Sequence, residues 1–302
     1  MHERTRRLAL TEGVVAGVLF GTAAIFIRFL GGVDAVSIAF WRLVVGCLAL
    51  VSLLIILKKS FHFGHVRNGL KDILVLSFFL TLHFIFFISA VKDTTILNAT
   101  ILVNTTPLFS VFVSAFVFKL KPSHVAVLGL VISFVGVFTI AVAETSVASE
   151  AQSTAVLSSS LKGDVEAVLA ALVESVYLNY GRKIRSEMSI LSIMTPMYFF
   201  CALYVGLLSL PLTGGALVLP ASILSILSIL GLGILSTAVA HTLYFSSLSN
   251  LKSFETATMA LLEPIGATVL GISLFQEIPA PLFMVGATMI LIGIFFVLKN
   301  KG

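Results

Sequence analysis

Apolar residues in this chain run on for about twenty positions at a time, stop at a cluster of charge, Gly or Pro, and begin again. At about 1.5 Å per residue, each run is long enough to cross roughly 30 Å of hydrocarbon as a helix. This pattern predicts ten helices, at about 8–28, 35–57, 71–91, 95–118, 123–143, 161–181, 189–210, 222–248, 254–276 and 280–298. Closed β-barrels, the other spanning solution, need strands of about 9–11 residues with polar and apolar positions alternating, and that alternation is absent. The least apolar stretch, Glu144 to Ser160, is rich in Ser, Ala and Thr and separates two sets of five helices. The expected plan is one five-helix repeat over 1–145, an extracytoplasmic linker over 146–160 and a second five-helix repeat over 161–302.

Composition turns this pattern into an all-α membrane protein. Of 302 residues, 58% are hydrophobic and 11% charged, against about 45–50% and about 25% in an ordinary soluble domain. The net charge of +5 does not mark a nucleic-acid surface, because the Lys and Arg sit in short clusters between apolar runs. With ten spans both ends share one side. Fifteen of the 19 Lys and Arg fall on that side, Arg28, Lys92 and Lys162 on the other, and Arg42 within a span. Cytoplasmic membranes keep basic loops inside, so both termini are expected in the cytoplasm. Arg4, Arg6 and Arg7 before the first run imitate a secretory signal, but the run is long and lacks a small-residue exit, so it is expected to stay as a helix. Cys47 and Cys201 lie inside apolar runs and say nothing of redox compartment.

The halves repeat each other. Pro107, Pro122, Gly129 and Gly136 correspond to Pro264, Pro279, Gly286 and Gly293 at one offset of 157 residues. With a slip of one, His83 matches His241, Phe87 matches Phe245, and Ala99-Thr100 matches Ala257-Thr258; Glu12 with Glu166 and Cys47 with Cys201 share an offset of 154. An odd number of spans per half forces the second half to enter the membrane in the opposite sense. The expected fold is therefore a pair of inverted five-helix repeats, an architecture suited to alternating access.

Several short motifs, in order over the ten spans, carry a family resemblance. Helix 1 reads Leu19-Phe20-Gly21-Thr22-Ala23-Ala24, and helix 2 has Phe40-Trp41-Arg42. Helix 6 opens with Gly163-Asp164 and ends near Tyr177 and Arg182-Lys183, helix 9 carries Glu263-Pro264, and Gln276-Glu277 precedes a Gly-rich last helix. In these features the chain resembles the EamA-type members of the drug/metabolite transporter superfamily over essentially its whole length. One departure is that Lys119-Leu120-Lys121 stands where an acidic residue typically follows the fourth span, whereas Glu277 keeps it in the second half. The resemblance implies carriage of metabolites, commonly export of amino acids or related compounds, through a cavity between the halves.

Ionisable groups in hydrocarbon cost at least about 2.5–3.5 kcal/mol on insertion scales, so each is a candidate for function. On helix 6, Glu166, Ala170, Glu174 and Tyr177 share one face. Glu174, at mid-depth, can bind a proton or an amine reversibly, or it can serve only as a buried hydrogen-bonding acid; Glu166 lies toward the outer vestibule. Thr237, His241 and Tyr244 form a stripe on helix 8, with His83 and Phe86 as the counterpart on helix 3. The imidazoles could bind substrate, relay protons or simply donate to a packed helix. Helix 4 presents Thr100, Asn104 and Pro107, and helix 9 presents Thr256, Met259 and Glu263 beside Pro264. Each proline frees a carbonyl in the preceding turn, so the pair marks a binding site, a hinge or a packing kink. Glu174 and Glu263 are the candidates for proton coupling, and Phe20, Phe86 and Tyr244 for cavity aromatics. Arg42, about two turns into helix 2, is expected to snorkel outward or pair with a carboxylate. Glycines at 13, 17 and 21, 129 and 136, and 286 and 293 are expected to permit close helix contact.

The function these features suggest is a secondary transporter in the cytoplasmic membrane, exporting a small metabolite down its own gradient or against protons, as a monomer or homodimer. An intramembrane enzyme is disfavoured because no H-E-x-x-H, G-x-S-x-G or P-loop motif is present. No metal-ligand spacing and no cofactor signature occur either. A channel would want a repeated carbonyl filter, and none is evident.

Overall fold

The computed structural model describes residues 5–58, 63–119, 122–150, 160–275 and 281–299, and among these every regular element is a helix. Helices α1 (Arg6–Arg28), α2 (Ala35–Ile56) and α3 (Leu70–Asp93) are continuous rods, with a short helix, Phe63–Asn68, before α3. Helix α4 is broken into Ile96–Val103 and Thr106–Phe116. Helices α5 (His124–Glu150), α6 (Leu161–Glu187) and α7 (Ile190–Thr213) follow. Helix α8 runs through Ile223–Gly231, a π-helical stretch Leu232–His241, and Thr242–Ser247. Helix α9 runs through Ser253–Met259, a 3₁₀ turn Ala260–Leu262, and Glu263–Phe275, and α10 is Pro281–Lys299.

Local chemistry sets where these helices begin. Thr5, Asp34, Thr95, Ser160, Ser189 and Ser222 each accept a hydrogen bond from a backbone N–H three residues on, meeting one of the orphan donors of a first turn. Helix α7 ends at Gly214, whose φ of 64° is left-handed and easy only for glycine. Helix α5 continues through Glu144 to Glu150, beyond the bound expected from hydropathy, because that stretch is polar but contains no Gly or Pro to stop it. Residues 151–159 of the expected linker, Leu120 and Lys121, and the Gln276-Glu277 pair lie outside the described residues.

Seven segments are long and apolar enough to cross a bilayer by length and composition, among the described residues. They are α1, α2, α3, the 98–116 part of α4, α7, 223–247 and α10. The other three are less clear-cut in composition or continuity. Helix α5 contributes the shorter apolar stretch His124–Ile140, α6 carries Lys162, Asp164, Glu166 and Glu174, and α9 is interrupted by its 3₁₀ turn. Leu48, Ile55, Phe112, Phe138, Phe199 and Phe295 point outward from the bundle, an apolar exterior that belongs in lipid.

The main packing pairs are kept when the first five helices are exchanged with the second five. Helix α1 packs on α9 and α8 as α6 packs on α4 and α3; α2 packs on α8 as α7 packs on α3; and α2 with α7, α4 with α9 and α5 with α10 pair with their own counterparts. Equivalent helices cross antiparallel. A Cβ at Gly129 would lie 2.5 Å from the Gly293 carbonyl oxygen, and one at Gly136 would lie 2.6 Å from that of Gly286. The early glycine of α5 thus meets the late glycine of α10. Helices α1 and α9 also meet at backbone distance, since a Cβ at Gly17, Gly21 or Gly266 would run into Met259 O, Ala267 N or Val18 O respectively.

The tight crossing yields a stability prediction. Gly136→Ala places a methyl against a carbonyl that neither helix can move cheaply, an overpacking cost of about 1–3 kcal/mol. Gly206→Ala meets only the Phe40 ring at 3.8 Å. In thermal unfolding of the detergent-purified protein, the first change should lower Tm by about 3 °C or more and the second should leave it unmoved. Equal Tm values for both would refute close backbone contact at α5–α10.

Candidate functional site

The centre of the bundle is shaped first by two glycines. A Cβ at Gly46 of α2 would meet Thr237 Cγ2 at 3.0 Å, and one at Gly233 of α8 would meet Val45 and the Arg42 carbonyl oxygen, so the two helices pass at backbone distance. There α8 widens into π winding, and the Thr237 hydroxyl donates to Leu232 O, five residues back, at 2.9 Å. Arg42 therefore reaches across to α8. Its Nε donates to Thr237 Oγ1 at 2.9 Å, its Nη2 to Ser236 Oγ at 3.3 Å, and its guanidinium lies 4.1 Å from the Phe84 ring centre. It is 1% exposed. The expected snorkelling does not occur, because α3 and α8 wall off this face of α2.

Beside it, α3, α4 and α6 converge on Glu174. Its Oε2 accepts from Thr106 Oγ1 at 3.0 Å and lies 3.7 Å from His83 Nδ1. That nitrogen is 3.1 Å from the Ala170 carbonyl, which can only accept, so Nδ1 carries a hydrogen. Across the cavity, Glu263 Oε2 accepts from Asn104 Nδ2 at 3.2 Å, and the same amide donates to Thr100 O at 2.8 Å. The break in α4 places Asn104 for this. At the break the Thr105 hydroxyl donates to Leu102 O at 2.6 Å, and Thr106 Oγ1 lies 2.8 Å from Val103 O, the carbonyl whose i+4 donor Pro107 lacks, so the one hydroxyl hydrogen of Thr106 is shared between Val103 O and Glu174.

His241 completes the ring of polar groups, its centroid 4.7 Å from Phe20, 4.8 Å from Phe84 and 5.9 Å from His83. Around these side chains lies a cavity of about 30 Å³, lined by Phe20, Ala23, Arg42, His83, Phe87, Val103, Asn104, Glu174, Ser236, His241, Ala260 and Glu263. That is room for one or two waters. A second cavity of about 70 Å³ lies between α1, α4, α5 and α9, lined by Thr100, Pro264, Ile25, Ile101 and Ile140 among others, and it shares Glu263 with the first.

Of the residues singled out from sequence, Phe20, His83, Asn104, Glu174, His241 and Glu263 come together at the central cavity, while Thr100 and Pro264 line the second. Pro107 is buried in α4 and lines neither. Tyr177 and Tyr244 are buried just behind the wall, Tyr244 edge-on to Phe20 at 5.1 Å, and their hydroxyls have no partner among the described residues. Phe87 rather than Phe86 lines the cavity from α3. Thr256 bonds Ser247 at 2.9 Å and Met259 fills the space over Gly13, so both serve packing. Sequence reasoning missed Arg42 as a cavity residue, along with Ser236 and Thr106. The signal was there for Arg42: it lies two turns inside a span with no acid within a helical turn. The two hydroxyl residues carried none.

Polar ties join the helices toward both ends of the bundle. At the start of α1, Arg6 Nη2 is 2.7 Å from Glu255 Oε1 and also donates to Leu298 O, joining α1, α9 and α10. Lys92 bonds the Leu30 and Gly31 carbonyls, which puts the end of α3 at the far end of α1. There Asp164 of α6 accepts from Thr94 at 2.9 Å and Asn98 at 3.4 Å, and Lys162 meets Asp93 at 2.6 Å. Among the described residues no three His, Cys, Asp or Glu side chains gather as a metal site would need.

An apolar-coated helical bundle that gathers two carboxyls, two imidazoles and a guanidinium around one cavity between its halves is a multi-pass membrane protein. The EamA-like transporter family matches the chain twice, over residues 8–142 and 161–299; the chain belongs to this family and is a membrane transporter. An uncharacterized transporter from Archaeoglobus fulgidus is 24% identical over 286 residues, 93% of each chain. A protein of known crystal structure superposes over 98% of both chains with a TM-score of 0.79 at 16% identity, a likeness of fold.

Because Thr237 both accepts from Arg42 and closes the π stretch, Thr237→Val should destabilise the protein by about 1 kcal/mol, the scale of polar contacts between membrane helices. Ser225→Ala, on the exposed start of α8, should change little. Denaturant titration in mixed micelles measures both, and an unchanged midpoint for Thr237→Val would show that the bond is not holding α2 to α8.

Proposed function

We propose that this protein is a secondary transporter that carries a small metabolite, an amino acid or a related compound, out across the cytoplasmic membrane by alternating access. Ten spans form two inverted repeats with both termini in the cytoplasm, and protons are exchanged through Glu174 and Glu263. The observation that carries this reading is the exchange of the two halves about a shared chamber holding two carboxyls, two imidazoles and a guanidinium, with a separate polar tie at each end. Breaking one tie while keeping the other exposes the chamber to one side only, and exchanging the states of the halves exposes it to the other. The volume enclosed with both ties made is too small for a metabolite, so a solute enters only as one end opens. The glycine contacts are the natural bearings for that motion, since they hold backbones together without interlocking side chains.

Glu174 is suited to a coupling role because it has both a fixed donor, Thr106, and an imidazole neighbour, His83. Protonating it weakens its hold on an ammonium group, so a proton and the amino group of the solute compete for one carboxylate. Flux into proteoliposomes over a metabolite panel, with and without an imposed pH gradient, tests the reading. Saturable uptake of at least one solute is expected, and Glu174→Gln should lower it at least tenfold while leaving Tm within about 2 °C, since the amide still accepts from Thr106. No flux of any solute would sink the proposal. A second experiment addresses the cytoplasmic tie. With both native cysteines changed to Ser, Ala260→Cys should react faster with a water-soluble maleimide when Arg6→Ala is added. Equal rates would remove the Arg6–Glu255 pair from gating.

A further inference from the structure

The two half-sites are related by the repeat, yet they are not chemically alike. At the offset of 154, Glu174 corresponds to Phe20 and Arg42 to Pro196; at 157, Thr106 corresponds to Glu263. Each imidazole therefore faces a different neighbour: His83 faces the Glu174 carboxylate, and His241 faces the Phe20 ring. The cationic partner of this arrangement is Arg42, present once and with no counterpart across the axis.

Arg42 is a buried cation without a counter-ion. Among the described residues no carboxylate lies within ion-pairing distance of it, and its contacts are two hydroxyls and the face of Phe84. Glu174 and Glu263 share its cavity but are engaged elsewhere, by Thr106 with His83 and by Asn104. An arginine side chain keeps its proton and offers five N–H donors in a planar fork. Thr237 and Ser236 take the edge formed by Nε and one hydrogen of Nη2. The remaining edge, formed by Nη1 and the second hydrogen of Nη2, is the one that matches the two oxygens of an oxyanion. Nη1 is out of solvent and has no partner among the described residues, and the residue lines the central cavity.

We propose that Arg42 is the oxyanion subsite of the central chamber, binding a carboxylate or phosphate monoester on the transported solute through its Nη1–Nη2 edge. This rests on the transporter reading above and adds the charge of the solute to it. The hydroxyls of Thr237 and Ser236 hold the fork in plane, and Phe84 keeps it from turning away. Neutralising the guanidinium by solute would then accompany occupancy, so that a loaded chamber closes with its charge balanced and an unloaded one does not. A purely structural clamp between α2 and α8 needs only the Thr237 and Ser236 bonds and leaves the third side of the guanidinium without purpose.

The test compares each acid with a partner that lacks only the anionic group, on the purified full-length protein. L-alanine, L-leucine and L-phenylalanine are paired with their carboxamides, and glycerol 3-phosphate with glycerol, with thermal shift and equilibrium dialysis as readouts. At least one acid should bind at least tenfold more tightly than its neutral partner; which arm responds tells carboxylate from phosphate. Arg42→Gln should bring acid and neutral partner to equal affinity without weakening the neutral partner. Arg42→Lys, which keeps the charge but not the fork, should retain part of the preference and guards against a misfolded Gln variant. Equal binding of acid and neutral partner by the unchanged protein, failure of every acid to bind, or a preference that survives Arg42→Gln would overturn the subsite. Proteoliposome flux keeps the two readings apart: a solute carried without any preference for its anionic form leaves the transporter standing and removes only the role of Arg42.

Discussion

Hydrocarbon offers a charged side chain no partner, and that constraint organises this molecule. Glu174, Glu263, His83, His241 and Arg42 all lie at depths where the exterior is Leu, Ile and Phe, so every one of them has to turn inward and find what it needs from a neighbouring helix. A bundle that gathers five such groups acquires a polar chamber as a direct result. The helices can come close enough to build its walls only because glycines face each other at the crossings of α1 with α9, α2 with α8 and α5 with α10. Packing and function are thus one problem here: the same small residues that let backbones meet also set the reach of the side chains that line the cavity.

Irregular backbone appears where it serves that chamber. The gap in α4 at Asn104, the 3₁₀ turn in α9 just before Glu263, and the π stretch of α8 from Leu232 to His241 all abut it. In α4 and α8 hydroxyls of the same helix take up released carbonyls, Thr105 and Thr106 at Leu102 and Val103 and Thr237 at Leu232, and Tyr198 of α7 donates to Thr237 O, which meets the condition under which membrane helices tolerate such breaks. Because α4 and α9 are counterparts in the repeat, their two interruptions face each other across the axis, while the π stretch has no matching feature in α3. The repeat has kept its framework and diverged in its chemistry, leaving an acid–imidazole pair on one side, an aromatic–imidazole pair on the other, and a single guanidinium between.

Much of this was legible in the linear pattern. Run length gave the helical segments to within a few residues for most, and the offsets of 157 and 154 between equivalent residues announced the relation of the halves before any packing was known. The proline and glycine correspondences were informative because those residues are placed by backbone demands that survive divergence of everything around them. Intramembrane Glu and His stood out for a similar reason: their cost in lipid requires an inward face, and four residues chosen on that ground, Glu174, Glu263, His83 and His241, line one cavity. The stripes drawn with a 3.6-residue period fared less well. The break at Asn104 sends Thr100 and Asn104 to different cavities, and Met259 and Thr256 are spent on packing rather than on the chamber.

What the sequence determined by itself was that this chain is a helical membrane protein of two related halves, because transfer of about twenty apolar residues into lipid and the recurrence of prolines and glycines are properties of the linear order. What only the tertiary structure decided was which polar groups meet. Arg42 could have reached outward to water with equal ease as far as its own helix was concerned; that Phe84, Ser236 and Thr237 enclose it depends on how closely α2, α3 and α8 pack, and contacts between residues nearly two hundred positions apart leave no periodic trace in either segment alone.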